Sequence, residues 1–119
     1  MIDIFVPMET VSEANVSEHY MKKSSRHKMQ QWTTACYLQN HRVKEKIFLP
    51  CNILLIWRGK RKRDSDNNII SLKAIRDSLA NYLIPGKAKG QADGDNRLNW
   101  LYGQLPTKHE TGVWIILYD

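Results

Sequence analysis

Between Ile47 and Trp57 the chain is apolar at nearly every position, and this stretch limits the possible folds more than any other. Cys51, Ile53, Leu55 and Trp57 point one way from an extended backbone, Leu54 and Ile56 the other. A strand with two apolar faces belongs inside a sheet. It has layers on both sides, or helices on one side and a partner on the other. The run ends in Arg58-Gly59-Lys60-Arg61-Lys62-Arg63-Asp64-Ser65-Asp66-Asn67, where five cations abut two carboxylates. Cations suit a polyanion. Asp64 and Asp66 repel the same polyanion unless a divalent ion stands between them.

The flanking segments supply one further strand before this run and two after it. Ile2, Ile4 and Val6 alternate ahead of Pro7 as a first strand, and Glu9–Lys23 reads as a polar loop. Ser24 or Ser25 caps a helix to Asn40, with Met29, Trp32 and Cys36 on its apolar face beside Thr33 and Tyr37. Ile69, Leu72, Ile75, Leu79 and Leu83 are spaced as the apolar stripe of a second helix over Asn67–Leu83, stopped by Pro85-Gly86. Leu98–Leu105 and Val113–Tyr118 are two more strands, expected to close the sheet as a hairpin around 106–112. The expected fold is one α+β domain over residues 1–119: a mixed sheet of about four strands with two helices, in the order β-α-β-α-β-β.

Charge is distributed unevenly along the 119 residues. Residues 1–20 hold four acids and no Lys or Arg, 21–63 hold twelve bases and one acid, and 64–119 hold six bases and seven acids. A basic middle third is the footprint of a nucleic-acid partner. No amphipathic basic helix with a Trp or Leu face argues for a membrane surface, and the longest apolar run is far too short to span one. The candidate phosphate contacts are Lys60, Arg61, Lys62 and Arg63, with Lys22, Lys23, Arg26 and Lys28 from around the start of the first helix. Cys36 and Cys51 have neither disulfide-scaffold nor zinc spacing, so they read as reduced core residues of a cytoplasmic protein.

Asp-x-Asp at a strand tip aims two hard oxygen ligands at one Mg²⁺ or Mn²⁺, and a third acid from elsewhere completes such a site. An EF-hand is excluded, because Ile69 and Ile75 stand where Gly and a bidentate Glu are required. Asp66 also serves as a helix cap in the bland reading. Seven residues on, Lys73 lies on the same side of a continuous helix as Asp66. It points back to the acids or pairs with Asp77 at i, i+4.

Three segments together resemble the RusA family of Holliday-junction resolvases: Arg63-Asp64-Ser65-Asp66-Asn67, Lys73-Ala74-Ile75-Arg76-Asp77-Ser78-Leu79, and Asp93-Gly94-Asp95 leading into Leu98-Asn99-Trp100. The order of elements agrees along nearly the whole chain. The resemblance implies a homodimeric, Mg²⁺-dependent endonuclease, with Mn²⁺ as substitute, that nicks four-way DNA junctions symmetrically. Carried over by position, Asp64, Asp66 and one later acid hold the metal, and Lys73 is the essential base near the phosphate. The gap from Asp66 to Lys73 is about a turn longer than in the founding resolvase. Gly94 splits the later acids, so the third ligand is Asp93 or Asp95, with Asp95 preferred because Asn96 and the strand follow it directly. The alternative function is a non-catalytic DNA-binding protein using the basic 58–63 patch.

Overall fold

The computed structural model describes residues 1–10, 20–88 and 90–119, so part of the expected Glu9–Lys23 loop lies outside the described residues, while its last four residues, 20–23, are already helical, ahead of the expected cap at Ser24 or Ser25. Within them the elements are β1 (Ile2–Pro7), α1 (Tyr20–Asn40), α2 (Val43–Lys46), β2 (Cys51–Gly59), α3 (Ser65–Ser71), α4 (Lys73–Leu83), a 3₁₀ turn (Ala92–Gly94), β3 (Leu98–Pro106) and β4 (Gly112–Tyr118). The fold is α+β with a four-stranded mixed sheet, ordered β1-β4-β2-β3. Helices outnumber the expected two. A short extra helix, α2, precedes β2, and the expected second helix is divided into α3 and α4.

No hairpin joins β3 to β4. β4 enters between β1 and β2 and pairs antiparallel with both, whereas β3 runs parallel to β2 at the edge. Burial decides this arrangement. β4 is apolar on both faces, with Val113, Ile115 and Leu117 buried on one and Trp114 and Ile116 half-buried on the other. β3 carries Asn99, Gln104 and exposed Leu101 and Leu105, a composition that an edge tolerates. A place at the rim would have left Trp114 and Ile116 of β4 with flanking side chains on one side only.

β2 begins at Cys51, later than the expected Ile47. Val43–Lys46 forms α2, and Pro50 has no N–H to give to a ladder. Ile47 still reaches the core, while Phe48 is exposed. Cys51, Ile53, Leu55 and Trp57 meet Ile4, Val6, Val113, Ile115 and Leu117 on the inner face of the sheet. Over them pack Leu38, Val43, Leu72, Ile75 and Leu79 from the helical segments.

The face of α1 is not the expected one. Gln30, Thr34 and Leu38 are buried, whereas Met29 and Trp32 are exposed and Cys36 is half-buried. Two polar residues can occupy that face because each has an acceptor within reach. Gln30 Nε2 donates to Glu9 O (2.9 Å) and Thr34 Oγ1 to Gln30 O (2.7 Å). Polarity alone places both in water.

The second helix is also broken, at Leu72 (φ −97, ψ 2), whose N–H bonds back to Ile69 O at 3.1 Å. The break lets Leu72 drop fully into the core, with Ile75 and Leu79, while Ile69 is left 39% exposed. It also ends the seven-residue, two-turn relation between Asp66 and Lys73, because the two now belong to different helices.

Candidate nucleic-acid interface

β1 and β2 run in the same direction, both antiparallel to β4, so their C-terminal ends lie at one end of the sheet. Glu9, just past β1, is held by Gln30 of α1. The first half of α1, with exposed Lys22, Lys23 and Lys28 and half-buried Arg26, therefore stands at the end where β2 delivers the loop Lys60–Asp64. Two basic segments, separate in sequence, are brought to one region.

The five cations of the run do not behave alike. Arg58 folds back, its guanidinium 4.1 Å over the Phe5 ring and its Nε donating to Glu110 O at 2.7 Å. Arg63 also turns inward. Its Nη1 donates to Thr10 Oγ1 (2.7 Å) and Ser71 Oγ (2.8 Å), its Nη2 to Thr10 O (2.6 Å), and its guanidinium lies 4.1 Å over Trp57. Burial pushes its pKa down. Arg63, expected to contact phosphate, is thus taken up within the fold. Lys60, Arg61 and Lys62 face solvent, and with Glu9, Trp57, Arg63 and Thr111 they line a groove of about 510 Å³.

Gly59 permits this packing. A Cβ there would collide with the Trp57 ring, which lies against the end of the strand and forms the platform for Arg63.

Asp64 caps α3 in position but makes no side-chain cap bond, and Asp66 lies in the first helical turn. The carboxylates leave a helix start, so the alternation of a strand tip does not apply to them. Both are exposed. Among the described residues neither side chain has a hydrogen bond or an ion pair, although three outward-facing cations precede them.

Of the later acids, Asp77, Asp93 and Asp95 are engaged. Asp95 is gripped by Arg97, Oδ1 accepting from its N and Nε and Oδ2 from its Nη2, each at 3.0 Å, with Lys87 at 3.7 Å. These bonds hold its carboxyl far below the usual carboxylate range. Asp93 pairs with Arg76 (3.0 Å), which also bonds Tyr102 Oη and lies over Trp100. Lys73 turns to Asp77 at 3.8 Å, the i, i+4 pairing. Asp77, mostly enclosed, has its pKa raised chiefly by burial.

Asp95 precedes β3 beside Cys51, whose N donates to Arg97 O, whereas Asp64 and Asp66 follow the other end of β2. The expected grouping of Asp64, Asp66 and Asp95 is therefore not assembled. Among the described residues no three His, Cys, Asp or Glu side chains stand together as a metal site would require. Parallel pairing of β2 and β3 is the cause, since it sends the start of β3 to the opposite end of the sheet from the finish of β2. The chemistry of Asp64 and Asp66 does suit a hard cation completed by phosphate oxygens and water, because Mg²⁺ commonly takes only one or two carboxylates beside a substrate phosphate.

Sequence reasoning missed Gln104. Its side-chain amide accepts from Arg63 N and donates to Arg63 O, each at 2.7 Å. Only the parallel pairing of β3 with β2 brings it there, and no local pattern signals that.

No described helix is long and apolar enough to cross a membrane. Comparison with known protein families, with curated proteins and with solved structures found no match.

Proposed function

We propose that this chain is a metal-dependent endonuclease of branched DNA, of the kind its RusA-like motifs imply, and that its working face is the end of the sheet where β2 meets α3. One observation carries the reading: two exposed carboxylates, Asp64 and Asp66, stay unpaired among the described residues, in the same loop as three outward-facing cations and separated from them only by the inward-turned Arg63. Cations and carboxylates of one loop that do not neutralise one another remain available, the first for phosphate and the second for a divalent ion.

Lys60, Arg61 and Lys62, with Lys22 and Lys28 of α1, take backbone phosphates, so recognition follows DNA shape more than sequence. Asp64 and Asp66 hold Mg²⁺ or Mn²⁺ against the scissile phosphate. The chemistry such an ion supplies when bound is activation of water and neutralisation of charge on the phosphoryl oxygens. Lys73 adds positive charge. Its pairing with Asp77 is largely solvated on the lysine side. Exchanging it for a phosphate oxygen leaves the mostly enclosed Asp77 carboxylate without its cation, a cost that the phosphate contact has to exceed.

A two-fold partner suits the two cuts a four-way junction needs. The outer face of the sheet supports one. Phe5, Leu54, Ile56, Leu101, Trp114 and Ile116 share it, half-buried or exposed, opposite the face covered by the helices. Four strands at about 4.8 Å spacing and four out-facing rows about 6.7 Å apart give roughly 500 Å² in projection, the scale at which apolar patches mark interaction sites. The face is close to neutral, with Asp3 and Arg58 the only charges its strands contribute, so two copies meet there without like-charge repulsion.

The deciding experiment incubates the wild-type protein with a synthetic four-way junction and a matched linear duplex, with Mg²⁺, with Mn²⁺ and with chelator. Paired nicks in the junction alone, dependent on metal, are expected. Junction binding without cutting in either metal would replace this reading with the non-catalytic DNA-binding one.

A further inference from the structure

We infer that Arg63 and Gln104 form a latch that holds the Asp64–Asp66 turn on the body of the protein, and that Arg63 does not contact phosphate. The second half of this statement rests on the DNA-binding reading above, but the first does not.

Gln104 stands on the edge strand β3, and its side-chain amide bonds the N–H and the C=O of Arg63 as a further strand would. The guanidinium of Arg63 then reaches two other elements, Thr10 after β1 and Ser71 at the end of α3, while Trp57 of β2 supports its plane. One residue thus meets four parts of the chain. It is the residue immediately before Asp64.

The acceptors are two hydroxyls and a carbonyl, with no carboxylate among them. A half-buried cation satisfied wholly by neutral groups commits three donor bonds to position and gains no ion pair. Lysine has no planar fork to span Thr10 and Ser71 and to stack on Trp57 as well. The chemistry therefore favours arginine for geometry here, although the run around it favours cations for charge. Fixing the Arg63 peptide fixes where the next backbone unit starts, and hence the origin of α3, with Asp64 at its cap and Asp66 in its first turn. The latch is a positioning device. Lys60, Arg61 and Lys62 lie outside it and keep their freedom to follow a phosphate backbone.

Two measurements test this, one without nucleic acid. In limited trypsin digestion of the folded protein, the wild type resists cutting after Lys62 and Arg63. Gln104→Leu, which keeps the bulk but removes both bonds, is expected to accelerate those cuts by about tenfold while the core strands stay protected, since local opening governs proteolysis. Equal rates in the two proteins would overturn the latch. In the second measurement, junction binding is followed against salt. Lys62→Met lowers the slope of log K on log salt by about one, whereas Arg63→Met leaves it unchanged. A fall of about one for Arg63→Met would overturn the assignment and return Arg63 to the phosphate contacts. A third arm separates positioning from mere stability: Gln104→Leu raises the Mg²⁺ concentration needed for half-maximal cleavage, and added Mg²⁺ rescues it. Loss of cleavage that no Mg²⁺ concentration restores, with binding intact, counts against positioning. A wild type that neither binds nor cuts the junction defeats the proposed function, and the digestion result still decides the latch.

Discussion

Asp66 and Asp95 lie beyond opposite ends of β2, separated by the whole length of that nine-residue strand. Their environments differ as much as their positions. Asp66 is exposed and unpaired among the described residues, whereas Asp95 is enclosed by Arg97 and Lys87. Two acids that the resemblance groups together thus sit in two different environments.

Asp66→Asn is expected to reduce metal-dependent junction cleavage by at least about a hundredfold while binding stays equal or tightens, because a negative charge is removed beside phosphates. Gel-shift and single-turnover cleavage on the same preparation check both halves. Asp95→Asn, by contrast, leaves the cleavage rate of folded protein near wild type. Loss of cleavage in Asp95→Asn at a temperature where it is fully folded would return Asp95 to the site.

The role of Asp95 is expected to appear in the pH dependence of stability. Its folded pKa is depressed by the Arg97 hydrogen bonds. Its contribution is therefore fully present above the unfolded value of about 3.9 and is lost as pH falls from there toward the folded value. Wild type is more stable than Asp95→Asn at pH 7, and the gap narrows progressively below about pH 4. Urea unfolding at pH 7 and pH 3 measures it. Asp77 has the opposite sign, because burial raises its folded pKa. Stability falls as pH rises from about 3.9 through the raised value, and Asp77→Asn removes that fall.

Much of the fold was legible in the sequence where one local rule was enough. The alternation Ile2, Ile4, Val6 and the two-faced run Cys51–Trp57 mark strands, and Leu72, Ile75 and Leu79 mark a helix stripe. Ile4, Val6, Ile53, Leu55, Leu72, Ile75 and Leu79 lie in the core, whereas Leu83 of the same stripe is half-buried and Ile69 is exposed. What was not legible depended on long-range pairing. Nothing near Val113 says that β4 inserts between β1 and β2, and Gln30 and Thr34 look solvent-facing until Glu9 O and the helix backbone supply their acceptors. The site followed the same division. The outward cations Lys60–Lys62 and the acids Asp64 and Asp66 are local facts, whereas the withdrawal of Arg63, the distance of Asp95 from Asp66 and the arrival of Gln104 come from tertiary structure.

Leu79 is fully buried in the core that α4 shares with the sheet. Leu79→Ala is therefore expected to cost about 2–5 kcal/mol from lost transfer energy and the cavity it leaves. Ile69, on the same expected stripe, is exposed. Ile69→Ala should cost less than about 1 kcal/mol. Urea midpoints at constant m separate the two variants. Equal losses would mean that the helix is continuous through Leu72.

The outer sheet face makes the last prediction. Because its projected area is well below the roughly 800 Å² per partner of a standard interface, association should be reversible and in the micromolar range. Sedimentation from low to high micromolar concentration is expected to follow a monomer–dimer equilibrium. Leu101 and Leu105 are both exposed on the edge strand. Replacing both with Lys leaves the monomer fold intact yet places two like charges per copy in the contact. That double variant should stay monomeric throughout, with unchanged thermal unfolding at low concentration. If the wild type is monomeric at every concentration, the two cuts of a junction cannot come from a pair of these subunits joined at this face. Paired nicking would then require either two independent binding events or another contact, and the lag between first and second cuts would lengthen as protein is diluted.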